Sequence, residues 1–346
     1  MKFDRAIFLP EGENAGVEGG FSGEKPVIRD QASLAPGYAR YRQELLASGP
    51  GLAARLTQGG MVRAALSEIL PQVDVVLLDA FGVLNRGKEA IDGAAEGVAR
   101  IRRAGKRLRV ATNNASQSPA TLERKFREMG FDFTQGEIVS SGMAVGPFVE
   151  GSEAYRGRPY YLIGTPESRE AYAPDPERLM VNLPGGGRDP GEAAYLLMCS
   201  NRDYYREHQE REVGPLLRRG IPVLLANPDL AAPDHDGGLE AVAGFTVGEW
   251  RERFALGADW RVEGLGKPFP PIFRLALERL GGALDPSRVL MVGDTLETDI
   301  LGGAAMGFRT CLVRSGVLSG LPDAVLDALC DARGVRPDWV AEGLDG

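Results

Sequence analysis

Val75-Val76-Leu77-Leu78-Asp79-Ala80-Phe81-Gly82-Val83-Leu84 is the stretch on which the fold turns. Four branched apolar residues in succession read as a strand buried on both faces, as in the middle of a parallel sheet. Such a strand delivers the residue after it to the carboxyl edge, where open α/β sheets keep their ligands. Here that residue is Asp79, and Gly82 lets the chain turn away three positions later. Taken alone, the carboxylate reads equally well as a turn residue accepting local hydrogen bonds or as a functional group.

Working outward, the 346 residues are 43% hydrophobic and 25% charged, which suits a globular chain with a large core, two domains and room for an appendage. A net charge of -8 argues against wholesale binding to a nucleic-acid backbone. An acidic chain handling a phosphate ester needs a cation to offset repulsion. Cys199, Cys311 and Cys330 form no close pair and imply no disulfide framework. Two histidines, His208 and His235, exclude a His-rich zinc site and most His-based catalysis. Met1-Lys2-Phe3-Asp4-Arg5 lacks a signal-peptide core, and no apolar run is long enough to span a bilayer. The expected location is cytoplasmic, without a membrane partner; a homo-oligomer is compatible with the sequence.

Residues 1–58 read as an extension, Gly-rich from Gly16 to Gly23, with a short helix from Tyr38 to Leu46. A helix is expected over Met61 to Leu70, ended by Pro71. After the opening strand, Asp92 is expected to cap a helix from Gly93 to Ala104. A strand Leu108 to Ala111, a helix Pro119 to Met129 and a strand Glu137 to Ser140 follow. This alternation implies a parallel sheet with right-handed crossovers. From about Arg158 the character changes. Strand-like runs at Tyr160 to Ile163, Tyr195 to Met198 and Val223 to Ala226 alternate with polar helices, such as Asp203 to Leu217, and with a Pro/Gly loop at Pro184 to Gly187. The expected class is therefore α/β: a Rossmann-like parallel core over residues 59–157 and 261–346, with an inserted α/β cap domain over residues 158–260. The tail from Leu321, with Trp339, reads as packing.

Three strand ends then offer polar groups to one sheet edge: Asp79, Thr112 with Asn113, and Asp294 after Val289 to Val292. Lys267, at the mouth of a helix, can join them. Two neighbouring carboxylates repel unless a divalent cation sits between them, and oxygen ligands favour Mg²⁺. A hydroxyl, backbone N–H groups and an ammonium suit a phosphoryl group. Each element is weak singly; the ordered combination is far more specific.

Asp79-Ala80-Phe81-Gly82-Val83-Leu84, Thr112-Asn113-Asn114, Gly266-Lys267-Pro268 and Gly293-Asp294-Thr295-Leu296-Glu297-Thr298-Asp299 resemble the four motifs of the haloacid dehalogenase-like hydrolase superfamily. Ile91-Asp92-Gly93-Ala94 and Asn227-Pro228-Asp229 narrow the resemblance to the subclass of nucleotide, phosphoglycolate and nitrophenyl phosphate phosphatases, whose cap lies between the second and third motifs. The resemblance implies that Asp79 attacks phosphorus to form an aspartyl phosphate on a small phosphorylated metabolite. It implies Mg²⁺ held by Asp79, the carbonyl of Phe81 and Asp294, with Asp299 as outer support or further ligand. Thr112, the Asn113 backbone and Lys267 would bind phosphoryl oxygens. Glu297 reads as a helix first-turn carboxylate that suits the dipole.

Phe81 departs from the pattern, because phosphatases of this superfamily carry there an aspartate that protonates the leaving group and then deprotonates water. General acid–base catalysis contributes roughly 10²–10⁴-fold, or about 3–5 kcal/mol of barrier. Poor leaving groups should therefore turn over badly, and activated phosphates should suffer less in the first step. Two other readings stand beside the phosphatase. One is a non-catalytic phosphometabolite-binding or regulatory module. The other is a haloacid dehalogenase, whose nucleophile loop also has an aromatic at this place but whose helical cap has no room between Leu84 and Thr112. Asn201, Arg202 and His235 on the cap read mostly as solvated surface, and Asn227-Pro228-Asp229 as a fixed turn shaping it.

Overall fold

The computed structural model describes residues 17–18, 27–28, 32–49, 51–180, 190–202, 206–233 and 239–345. Its central strand is Val75–Leu78, with all four side chains buried. Val76 and Leu78 pack with Val98, Ile101 and Phe126 on one layer. Val75 and Leu77 face Val145, Ile272 and Phe273 on the other. This two-sided burial is why the run is continuously apolar. Parallel neighbours are Val289–Gly293 on one side and Arg107–Thr112 on the other. The seven-stranded sheet runs, in space, Val62–Arg63, Trp339–Ala341, Arg309–Val313, Val289–Gly293, Val75–Leu78, Arg107–Thr112, Ile138–Ser140, parallel throughout.

Four local expectations change. Met61 to Leu70 is not one helix: Val62–Arg63 is an edge strand, and only Leu66–Ile69 is helical before a tight turn carrying Pro71. Both side chains of that strand are exposed, so it lacked an apolar pattern. Asp92 does not cap the next helix; Gly93, at φ 76°, precedes Ala94–Arg103 with no side-chain cap. The tail does more than pack, since Asp323–Arg333 is a helix and Trp339–Ala341 a strand of the core sheet. The helix expected after Asp294 begins as a π-helical turn, Leu296–Ile300, and continues as Leu301–Ala305.

The inserted unit has its own parallel sheet, ordered Leu179–Met180, Tyr160–Ile163, Tyr195–Met198, Val223–Leu225, Val262–Gly264. Val262–Gly264, which lies beyond residue 260, pairs with Val223–Leu225 and is a strand of this second sheet. The Pro184 to Gly187 loop and His235 lie outside the described residues, as does the side chain of His208.

The extension is built into the molecule. Its strand Val27–Ile28 pairs antiparallel with Leu239–Ala241 of the inserted unit. Its helix Ala35–Ser48 puts Tyr41 against Phe269, ring centroids 5.1 Å apart, and donates the Tyr41 hydroxyl to the Pro228 carbonyl at 2.9 Å. Leu45, Leu52 and Leu56 are buried in one cluster with Ile300, Leu301 and Leu312 of the core. Each such burial contributes about 1.5–3 kcal/mol. Among the described residues no helix is long and apolar enough to cross a membrane.

Candidate active site

Asp79 leaves the central strand with its N–H still bonded to the Val292 carbonyl at 2.9 Å, so the sheet fixes its backbone. The next loop turns at Gly82, whose φ of 78° a side chain would rarely adopt. There is a second reason for glycine. A Cβ at Gly82 would lie 2.0 Å from Asp294 Oδ2, so the Asp294 carboxylate rests directly on this α-carbon. Gly316 makes the matching wall, with a Cβ that would fall 1.9 Å from the same oxygen. Between them Asp294 accepts from the Val317 N–H at 2.8 Å and the Thr295 hydroxyl at 3.1 Å. The Ser315 hydroxyl donates to the Gly82 carbonyl at 2.8 Å, joining the two walls. Sequence reasoning missed Ser315-Gly316-Val317. The available signal was a Ser-Gly pair at the end of a buried strand.

Lys267 is 2% exposed, and its ammonium bridges Asp79 Oδ1 at 2.5 Å and Asp299 Oδ1 at 2.7 Å. Burial pulls this ammonium toward neutrality, but Asp299 and Asp79 outweigh it and hold the group above its ordinary value. Asp299 is fully buried; its second oxygen accepts from the Thr295 N–H at 3.2 Å. One carboxylate oxygen from each of Asp79, Asp294 and Asp299 lies within 4.8 Å of the other two. Burial, then Asp79, pushes the Asp294 carboxyl up to about 7, against Val317, Thr295 and Lys267. Asp299 is raised for the same first reason, with Lys267 opposing and Asp79 and Asp294 adding. Three clustered carboxylates, two of them fully buried, thus have one ammonium beside them, bonded to Asp79 and Asp299. That excess of negative charge on oxygen donors fits a divalent cation.

Thr112 ends the adjacent strand and Asn113 follows it, both buried. The Asn113 side chain is a clamp: its amide donates to the Lys267 carbonyl at 2.9 Å and to Asp229 Oδ1 at 2.7 Å, while its oxygen accepts the Lys267 N–H at 2.6 Å. Asp229 had been read as part of a turn that shapes the cap; it also reaches the core. Burial raises its carboxyl to about 6, with Asn113 and Lys267 lowering and Asp79 raising it. Phe81 contributes a backbone bridge to Asn85. Glu297 stands in the first turn of its helix, as expected, and is also ion-paired to Arg333 at 2.9 Å. Asn201 is buried, not surface, and donates to the Ala241 carbonyl at 2.8 Å. Arg202 is exposed. A cavity of about 370 Å³ lined by Tyr38, Arg42, Glu297, Leu301, Arg333 and Val335 contains none of Asp79, Thr112 or Lys267.

A parallel sheet that sends carboxylates from two neighbouring strands, a Thr-Asn pair from a third and a lysine from the returning chain to one edge is the arrangement of a hydrolase core with an inserted cap. Residues 76–173 match the family of haloacid dehalogenase-like hydrolases, and residues 264–346 match the companion HAD-hydrolase-like family. Over 253 residues, 70% of this chain and 84% of the relative, it is 30% identical to a phospholysine phosphohistidine inorganic pyrophosphate phosphatase of Xenopus laevis. The structure of a p-nitrophenyl phosphatase from Archaeoglobus fulgidus superposes with a TM-score of 0.66 at 28% identity, covering 80% of this chain and 98% of that one. A glycerol phosphate phosphatase from Mycobacterium tuberculosis, solved in complex with magnesium, gives 0.65 at 25% identity, covering 80% and 76%. The chain belongs to the haloacid dehalogenase-like hydrolase family, in the branch that includes the p-nitrophenyl phosphatases and carries its cap between the second and third motifs.

Proposed function

We propose that this protein is a Mg²⁺-dependent phosphatase that acts on a small phosphorylated metabolite through an aspartyl phosphate. The observation that carries the reading is the gathering of Asp79, Asp294 and Asp299, carboxylate oxygens within 4.8 Å of one another, beside a buried Lys267 ammonium that is bonded to Asp79 and Asp299. A binding module has no need for so costly a concentration of buried charge.

In this reading Asp79 is the nucleophile. One carboxylate oxygen forms a bond to phosphorus as the bond to the leaving-group oxygen breaks. Water then attacks the aspartyl phosphate, releasing inorganic phosphate and restoring the carboxylate. Asp79, the Phe81 carbonyl and Asp294 would hold Mg²⁺. When bound, the cation offsets the charge of phosphoryl oxygens and carboxylates. Asp299, both of whose oxygens are engaged by Lys267 and the Thr295 N–H, acts as outer support that aims the ammonium. Thr112 and Lys267 hold phosphoryl oxygens. Since the Asn113 side chain is committed to its clamp, its backbone N–H is the donor left for that task. The relatives' activities on glycerol phosphate and p-nitrophenyl phosphate support the reaction type.

Phe81 specialises the reaction. It can neither protonate a leaving alkoxide nor deprotonate water, so esters with acidic leaving groups are favoured and the second step is slow. A phosphate-release panel comparing wild type, Asp79→Asn and Phe81→Asp tests this. Mg²⁺-dependent release from p-nitrophenyl phosphate by wild type, its abolition in Asp79→Asn and a gain on alkyl phosphates in Phe81→Asp are expected. No release by wild type from any activated phosphate overturns it.

A further inference from the structure

The Asn113 clamp holds the Lys267 backbone by its N–H at 2.6 Å and its carbonyl at 2.9 Å, and is itself held by Asp229 at 2.7 Å. Two short segments therefore fix where the ammonium stands: the turn Asn227-Pro228-Asp229 and the loop Gly266-Lys267-Pro268-Phe269. They touch directly. A Cβ on Gly266 would lie 2.5 Å from Asn113 Oδ1 and 2.6 Å from Pro228 Cδ, so glycine lets the three meet. At the other end of the loop, the Phe269 ring rests on Gly264, where a Cβ would lie 2.0 Å from ring Cδ2.

The helix Ala35–Ser48 of the extension lies against both segments. Its Tyr41 is buried and touches each of them. The hydroxyl donates to the Pro228 carbonyl at 2.9 Å, and the ring meets Phe269 edge-on with centroids 5.1 Å apart. One turn earlier, Gly37 admits Leu230, the residue after Asp229, since a Cβ there would fall 2.5 Å from Leu230 Cδ1. The Pro228 carbonyl is hemmed in as well: a Cβ on Gly244 would lie 2.3 Å from its oxygen. Burial first, and then Glu44 and Asp229, raise the Tyr41 hydroxyl above its ordinary value against Arg40, so it stays a donor at any working pH. Removing it leaves a buried carbonyl short of its donor, and such a group shifts the chain that carries it. The residues that match the hydrolase family run over 76–173 and 264–346, so Tyr41 lies outside both spans.

We propose that Tyr41 is a positioning residue for the phosphoryl site: it clasps the Asn227-Pro228-Asp229 turn to the Lys267 loop and so sets where the Lys267 ammonium stands. The inference rests on the phosphatase reading for its chemistry, and it adds a residue of the extension that governs the rate. Tyr41 acts through Pro228 and Asp229 on Asn113, and through Phe269 on the Lys267 loop, not on a reacting group. A misaligned ammonium still attracts phosphate. It no longer meets the phosphoryl oxygens where charge develops during transfer, so the loss is expressed in kcat more than in KM.

The test follows p-nitrophenyl phosphate with Mg²⁺ in wild type, Tyr41→Phe, Tyr41→Ala and Leu45→Ala, each with its own urea unfolding curve. Tyr41→Phe keeps the ring on Phe269 and removes only the hydroxyl. It is expected to lower kcat about tenfold with little change in KM, and Tyr41→Ala about a hundredfold. Leu45, one turn further along the same helix, is buried in the cluster with Ile300 and Leu301. Leu45→Ala should lose at least as much stability as Tyr41→Phe and keep kcat within about twofold. A wild-type kcat in Tyr41→Phe, with or without a higher KM, overturns the proposal, and so does an equal fall of kcat in Leu45→Ala. If wild type hydrolyses nothing, the phosphatase reading fails by itself. Urea unfolding at pH 8 in EDTA then decides the role of Tyr41 through a double-mutant cycle with Lys267→Met. A Tyr41→Phe loss that shrinks in the Lys267→Met background supports positioning, and the same loss in both backgrounds overturns it.

Discussion

Replacing Lys267 by methionine removes one charge and keeps the length of the side chain, and its consequences follow from the geometry of the site. The ammonium is buried and makes charge-assisted bonds of 2.5 Å to Asp79 and 2.7 Å to Asp299. Without it, Asp79 and Asp299, whose oxygens lie within 4.8 Å of each other and of Asp294, lose the one cation bonded to them among the described residues. Breaking a buried ion pair from one side costs about 3–5 kcal/mol. The loss should depend on pH with a definite sign. Lysine is protonated in both folded and unfolded chains from pH 5 to 8, so the pH dependence comes from the carboxylates. Asp294, raised to about 7, contributes stability that is fully present below its unfolded value and is lost as pH rises through about 7. Asp299 is raised in the same direction. Deleting the ammonium raises both further, so Lys267→Met should be much closer to wild type at pH 5 than at pH 8. Urea unfolding in EDTA at the two pH values measures this. An equal loss at both, or a loss below about 1 kcal/mol at pH 8, would refute the account of Lys267 as the counter-charge of this site.

Mg²⁺ supplies positive charge to the same carboxylates, so it should raise the melting temperature of wild type more at pH 8 than at pH 5. At about 100 times its Kd the shift is worth about 2.7 kcal/mol, and a pH-independent shift would count against Asp294 as a ligand. Gly316→Ala places a methyl against Asp294 and should weaken Mg²⁺ activation by about tenfold to a hundredfold, as expected for loss of the Val317 hydrogen bond to a charged group; unchanged magnesium titration of activity contradicts it. Removing residues 1–58 uncovers the surface that Tyr41, Leu45, Leu52 and Leu56 bury, and should give a protein that melts lower or aggregates, read by light scattering during a thermal ramp.

Much of the site was legible because its residues stand where apolar runs end. Asp79 follows Val75–Leu78, Thr112 closes Arg107–Thr112, and Asp294 follows Val289–Gly293. A buried strand announces itself by composition, and a polar residue at its carboxyl end is conspicuous. Lys267 was placed by its motif and not by periodicity. What was not legible depends on contacts distant in sequence. The Asn113–Asp229 bond joins residues 116 apart, and no local pattern signals it. Asp294 depends on Gly82 and Gly316, whose value is the space they leave. The strands Val62–Arg63 and Trp339–Ala341 are two and three residues long, too short for a period, and their pairing is set by the tertiary edge they share. The extension lacked the apolar periodicity of an independent core because its apolar residues complete a core that already exists. Phe81 remains the residue that departs from the family pattern, and the consequence proposed for it is kinetic.

That consequence gives the most direct measurement. Wild-type protein and Mg²⁺ are mixed with p-nitrophenyl phosphate, p-nitrophenol is followed from the first turnover, and samples are quenched in acid for peptide mapping. A good leaving group passes the first step without an acid, whereas hydrolysis of the aspartyl phosphate lacks its base. The account predicts a burst of p-nitrophenol stoichiometric with protein and a phosphate on the peptide that contains Asp79. Phosphate released in many turnovers by protein in which Asp79 never carries phosphate, or release that survives Asp79→Asn, would contradict it.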